Sequence, residues 1–134
     1  MQMFVSKDFK FDAAHNIVNY LGSCEKLHGH TYRLRVTLSG TPGEDGMILD
    51  FGILKRIVHE KVLDLLDHSY LNEILPQSTT ENLAQWIWKR LEKYLKGDAY
   101  SLHEVTVWET ETSFVSLRAG TSTSPKHTFD ESRE

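Results

Sequence analysis

His28-Gly29-His30-Thr31-Tyr32-Arg33-Leu34-Arg35-Val36-Thr37-Leu38 alternates from end to end. Even positions carry His28, His30, Tyr32, Leu34, Val36 and Leu38, while Thr31, Arg33, Arg35 and Thr37 point the other way. Successive side chains of a strand leave opposite faces, so the pattern predicts a half-buried strand whose inward side begins with two histidines. Gly29 between them lets other groups approach closely. The strand extends to about Ser39 and stops at Gly40-Thr41-Pro42-Gly43-Glu44-Asp45-Gly46, a cluster of turn residues. Upstream lie Cys24, four residues before His28, and His15 in Phe11-Asp12-Ala13-Ala14-His15. Three histidines can hold one zinc ion and leave its fourth position open. Read alone, a histidine on an apolar face is as readily a hydrogen-bonded core residue. Cys24, the only cysteine, has no partner for an internal disulfide and can equally be an inert thiol.

Working outward, Val5 to Ala14 reads as a first strand, and Asn16 to Cys24 as a loop carrying the thiol. Asp50 is a good N-cap for a helix over about Phe51 to Leu66, with apolar residues at 51, 54, 57, 58, 62, 65 and 66 forming one stripe. Ser78-Thr79-Thr80-Glu81 has the form of a capping box, opening a second helix that ends near Lys96 with Gly97 as its stop. Leu102 to Glu109 and Ser113 to Arg118 read as a hairpin, and the polar chain from Ala119 onward as a flexible tail. The expected fold is α+β: a four-stranded antiparallel sheet with two helices covering one face. Its open edges and uncovered face point to a homo-oligomer.

Composition narrows the classes. The 134 residues suit one domain, placed at 1–118, large enough for a core of its own. A net charge of −4 gives no basic footprint, which speaks against nucleic acid. No apolar run approaches the roughly 20 residues of a membrane span. The start, Met1-Gln2-Met3-Phe4, lacks signal-peptide character, so a cytoplasmic location is expected, where a free cysteine is comfortable.

Three further segments bear chemistry. An aspartate beside a histidine, as in Asp67-His68, can orient it and help it pass a proton, or the pair can simply end the helix. Glu109 shares the parity of Val105 and Val107, and a carboxylate on an apolar face must find a partner. Its two oxygens suit a planar edge with two N–H donors, either a heterocycle or an arginine from a neighbouring chain. Thr79, Thr80 and Glu81 have a helix-start role of their own.

Taken together these motifs resemble the 6-pyruvoyl-tetrahydropterin synthase superfamily, and most of all its bacterial 6-carboxytetrahydropterin synthase branch. The resemblance rests on Phe-Asp-Ala-Ala-His at 11–15, Cys-x-x-x-His-Gly-His at 24–30, Gly-Met-Ile-Leu-Asp-Phe at 46–51, Leu-Asp-His at 66–68, Ser-Thr-Thr-Glu-Asn-Leu-Ala at 78–84 and Val-Trp-Glu-Thr at 107–110. It implies a tunnelling fold whose subunits join through their sheets into a barrel, commonly as hexamers with active sites between subunits. It also implies Zn2+ on His15, His28 and His30, with Cys24 as catalytic base. Asp67 and His68 would be a relay from a neighbouring chain, and Glu109 a pterin anchor with Thr79 and Thr80 beside it. The implied substrate is dihydroneopterin triphosphate, cleaved with loss of acetaldehyde and triphosphate towards queuosine-type deazapurines.

The pyruvoyl branch eliminates triphosphate only and has a longer spacing between cysteine and histidine. Glu25 also creates Glu-x-x-His-Gly-His, similar to a third branch that forms hydroxymethyl-dihydropterin for folate, so the product stays open between these routes. The alternative of a different class is a non-catalytic module in which Cys24 closes a four-ligand zinc site.

Overall fold

The computed structural model describes residues 1–22 and 25–120. Cys24, the expected base, and the expected flexible tail beyond residue 120 therefore lie outside the described residues. Strands β1 (Met3–His15) and β2 (His28–Gly40) pair antiparallel along their whole length, from Met3↔Gly40 to His15↔His28. A two-residue strand, β3 (Ser69–Tyr70), pairs parallel with Ala13 and Ala14. β4 (Tyr100–Trp108) lies on the other side of β2 and forms a hairpin with β5 (Phe114–Arg118). The sheet thus has five strands in the order β3-β1-β2-β4-β5 and is mixed, a correction to the four antiparallel strands expected. Two residues are too few to show an alternation, so β3 left no pattern in the sequence.

Alternation elsewhere builds the core as read. Phe9, Phe11 and Ala13 of β1, Tyr32, Leu34, Val36 and Leu38 of β2, and Val105 and Val107 of β4 are all buried on the face that the helices cover. The first helix opens where expected: Asp50 Oδ1 accepts the N–H groups of Gly52 and Ile53 at 2.6 and 3.2 Å. α1 (Phe51–Val58) then widens into a π-helical segment, His59–Leu63, before a last α turn, α2 (Asp64–Leu66). The π turn takes one extra residue and shifts the phase of everything after it. Leu63 and Leu66 are therefore buried while Leu65 is 46% exposed. Phe51, at the first helical position, is also exposed, so the stripe runs through 54, 58, 62, 63 and 66.

The second helix, α3 (Thr80–Leu91), corrects two further expectations. Its cap is Thr79, whose hydroxyl accepts the N–H of Asn82, because the Ser78 hydroxyl is turned to Asn72 instead. The α-helix ends at Leu91, before the expected end near Lys96, and the chain turns into the bridge between Lys96 and Ser101. Leu83, Ile87, Leu91 and Leu95 are buried.

Among the described residues, the opposite face of the sheet carries no helix. It is a polar lattice: Ser6 with Thr37 at 2.7 Å, Arg35 donating to Asp8 at 2.7 Å, Thr31 donating to Asp12 at 2.5 Å, and Arg118 donating to Glu104 at 2.6 Å. The two partly exposed ion pairs, Arg35–Asp8 and Arg118–Glu104, each contribute about 0–1 kcal/mol. Their role here is to keep that face hydrophilic.

Candidate metal centre and ligand cleft

His15 ends β1, and His28 and His30 begin β2, so the pairing of the two strands alone brings the three imidazoles together. Their ligand atoms lie within 4.8 Å of one another. His15 is buried, with its Nδ1–H donating to the Ser78 carbonyl at 2.9 Å. His28 Nδ1–H likewise donates to the Lys26 carbonyl at 2.9 Å. Each bond commits that ring to a bare Nε2, and the two Nε2 atoms face each other at 3.1 Å. Two lone pairs at that separation repel unless a proton or a cation lies between them. His30 Nε2 is buried and has no hydrogen-bond partner among the described residues, and burial holds its imidazole below the ordinary histidine range. Three imidazoles whose ring nitrogens converge within 4.8 Å, two of them oriented by backbone carbonyls, are a donor set that fits zinc.

Glu109 stands beside this centre. One carboxylate oxygen is 3.6 Å from His30 Nε2, and the other accepts the Thr80 hydroxyl at 2.9 Å. Thr80 is the first residue of α3, so the helix start holds the carboxylate in place; Thr79 is occupied in capping. Pairing between β2 and β4 stops at Arg33↔Trp108, whereas β1 and β2 stay paired as far as His28. Residues 28–32 consequently have an open edge towards the β4–β5 turn. A cleft of about 590 Å³ forms there, lined by His30, Tyr32, Glu109, Arg33 and Trp108 among others. That volume suits a small heterocyclic ligand.

Asp67 and His68 form a separate, exposed group at the β1 edge. The Asp67 carboxylate accepts the Asp12 N–H at 3.0 Å and faces His68 Nδ1 at 3.1 Å. The Asp12 N–H, with help from His68, holds the Asp67 carboxyl below the usual range. His68 has φ +60°, the left-handed region, at a cost of about 1–3 kcal/mol for a non-glycine residue. Its N–H is pinned to the Asp12 carbonyl at 2.6 Å. The pair is thus built as a unit, but on the strand edge and not in the cluster of three histidines. Glu25 is also engaged, its Oε1 accepting the Ile17 N–H at 3.2 Å and its own N–H donating to the Ile17 carbonyl at 2.8 Å.

Ser78, Asn72 and Tyr32 were not given site roles from the sequence. Ser78 acts through a backbone carbonyl, which no residue type announces, and Asn72 acts through Ser78. Tyr32 was visible only as a core position, yet its hydroxyl is buried without a hydrogen-bond partner among the described residues, and burial pushes the phenol up. The Arg33 guanidinium lies over the Trp108 ring at 3.7 Å with its Nε unpartnered, which the strand parity of the two residues could have suggested.

Fold and donor set together define a pterin-synthase-like protein, and sequence comparison agrees: residues 4–120 match the 6-pyruvoyl tetrahydropterin synthase family. The chain belongs to that family. It is 40% identical over 116 residues to a 6-carboxy-5,6,7,8-tetrahydropterin synthase of Synechocystis sp., covering 81% of this chain and 88% of that protein. It is also 42% identical over 99 residues to the dihydroneopterin monophosphate aldolase of Pyrococcus furiosus, covering 74% and 82% of the two chains. Among solved structures, the 6-pyruvoyl tetrahydropterin synthase of Caenorhabditis elegans superposes with a TM-score of 0.76 at 25% identity, covering 88% of this chain and 96% of that one.

Proposed function

We infer that the protein is a zinc-dependent lyase converting dihydroneopterin triphosphate to 6-carboxytetrahydropterin, with loss of acetaldehyde and triphosphate, for queuosine-type deazapurine synthesis. The observation that carries this reading is the placement of Glu109. A carboxylate clamped by Thr80 stands 3.6 Å from His30, so one small ring can meet anchor and metal centre together. His15, His28 and His30 would hold the ion, and zinc bound there would supply a Lewis acid. Glu109 accepts the paired N–H edge of the pterin and fixes its orientation. Cys24 takes the side-chain proton, a thiol being able to act as base in its thiolate form. Asp67 and His68 serve the site of an adjoining copy, since within one chain they stand apart from the three histidines. The copies associate as a homo-oligomer, a hexamer by family resemblance, joining through the open sheet edges. The carboxy branch is favoured by the three-residue spacing from Cys24 to His28 and by the name of the Synechocystis relative.

The second reading is the route to a hydroxymethyl-dihydropterin, favoured by Glu25 and by the aldolase named among the relatives. Mass spectrometry of products from purified protein and dihydroneopterin triphosphate separates them. A 6-carboxypterin with acetaldehyde is expected. A pterin retaining its three-carbon side chain, or a hydroxymethyl pterin, would replace this assignment.

Glu109→Gln is expected to weaken pterin binding by about 5- to 150-fold, the equivalent of 1–3 kcal/mol for a buried donor facing a donor. The fold should persist, because an amide oxygen can still accept the Thr80 hydroxyl. Calorimetry with neopterin reads the affinity. An unchanged affinity would mean that Glu109 does not hold the ring.

A further inference from the structure

The segment that follows His15 is held by side chains where a strand would be held by backbone. The Asn16 N–H donates to Asn72 Oδ1 at 3.1 Å, and the Asn16 carbonyl accepts Asn72 Nδ2 at 2.8 Å. The Val18 N–H donates to Gln77 Oε1 at 2.8 Å, and the Val18 carbonyl accepts Gln77 Nε2 at 2.9 Å. Ile17 between them is met by Glu25 alone, whose carboxylate accepts the Ile17 N–H and whose backbone N–H donates to the Ile17 carbonyl. Every backbone donor and acceptor from Asn16 to Val18 is therefore answered by a residue outside the segment.

Asn72 does more than hold the loop. Its Oδ1 also accepts the Ser78 hydroxyl at 2.8 Å, and its Nδ2 also donates to the Pro76 carbonyl at 3.2 Å. Both hydrogens and both lone pairs of the amide are used, which fixes its orientation: a flipped amide would set N–H against N–H and oxygen against two carbonyls. The bonds close a ring. His15 donates to the Ser78 carbonyl, Ser78 donates to Asn72, Asn72 donates to the Asn16 carbonyl, and Asn16 is covalently joined to His15.

We propose that Asn72 is a positioning residue for the metal centre: through Ser78 and Asn16 it locks the His15 imidazole in the tautomer that presents a bare Nε2. The proposal rests on reading the three histidines as a metal centre, and it concerns how the first of them is kept ready. Asn72 touches neither the metal ligands' nitrogens nor the cleft. Its influence is on the orientation of one ring and on the loop that leads to Cys24.

The test uses the full chain with Asn72→Asp, which keeps size but sets a carboxylate oxygen against the Asn16 and Pro76 carbonyls. Zinc affinity by chelator competition is expected to fall about 10- to 100-fold, the usual range for lost outer-shell orientation. The visible spectrum of the cobalt-substituted variant should change as well. In metal-free protein, long-range proton–nitrogen NMR should show one His15 tautomer in the parent and a mixture in the variant. Should Asn72→Asp fail to fold, Ser78→Ala is read by the same measurements. It keeps the Ser78 carbonyl but cuts its tie to Asn72, so a smaller change in the same direction is expected. A folded variant with unchanged zinc affinity, cobalt spectrum and tautomer overturns the proposal, even if its melting temperature falls. A parent chain that binds no zinc sinks the metal reading, while the His15 tautomer still decides the role of Asn72.

Discussion

Replacing His28 by alanine is expected to remove most of the bound zinc and lower turnover by well over the roughly 100-fold that outer-shell changes cost. Among the three proposed ligands His28 gives the cleanest variant, because it is exposed at the start of β2 whereas His15 is buried. Its ring meets His15, His30 and the Lys26 carbonyl, and it fills no part of the apolar core. The melting temperature of metal-free protein should therefore move little, as for other surface substitutions within about 0.5 kcal/mol. Elemental analysis of purified parent and variant gives the metal content directly. Full zinc occupancy in His28→Ala would sink the ligand assignment.

Cys24→Ala is expected to keep its zinc and lose turnover by about 100-fold or more, the scale of a positioned acid–base group. A closed four-ligand site would behave differently, since the thiolate would then be a ligand and zinc content would fall with activity. The neighbouring Glu25 makes the product distribution informative. A variant that no longer makes the 6-carboxypterin but still makes a hydroxymethyl pterin would assign the second route to Glu25.

Much of the fold was legible because the strands are amphipathic with period two. Phe9, Phe11 and Ala13 against Asp8, Lys10 and Asp12 leave one arrangement for β1, and the histidine pair inherits the parity of Tyr32 to Leu38. Parity placed only His28 and His30 on one face; His15 was joined to them by the resemblance, and it is the β1–β2 pairing that brings all three together. The misses have physical causes. The cap of α3 went to Thr79 because Ser78 had a better use in the Asn72 ring, a tertiary contact spanning six residues of irregular chain. Asp67 and His68 could be recognised as a pair, but their support by the Asp12 backbone depends on β3, which is too short to leave a pattern.

The π turn at His59–Leu63 makes the length of that helix matter more than its composition. Such a turn is what an α-helix becomes when a single residue is inserted, and removing that residue would rotate everything downstream by about 100° and draw it back by about 1.5 Å. Downstream, past the turn Asp64–Leu66, comes Asp67, whose carboxylate is aimed at one particular amide of β1. The inserted residue thus acts as a mounting angle. It sets the direction in which the Asp67–His68 pair leaves the helix, the Asp67 N–H itself donating to the Leu63 carbonyl at 2.9 Å.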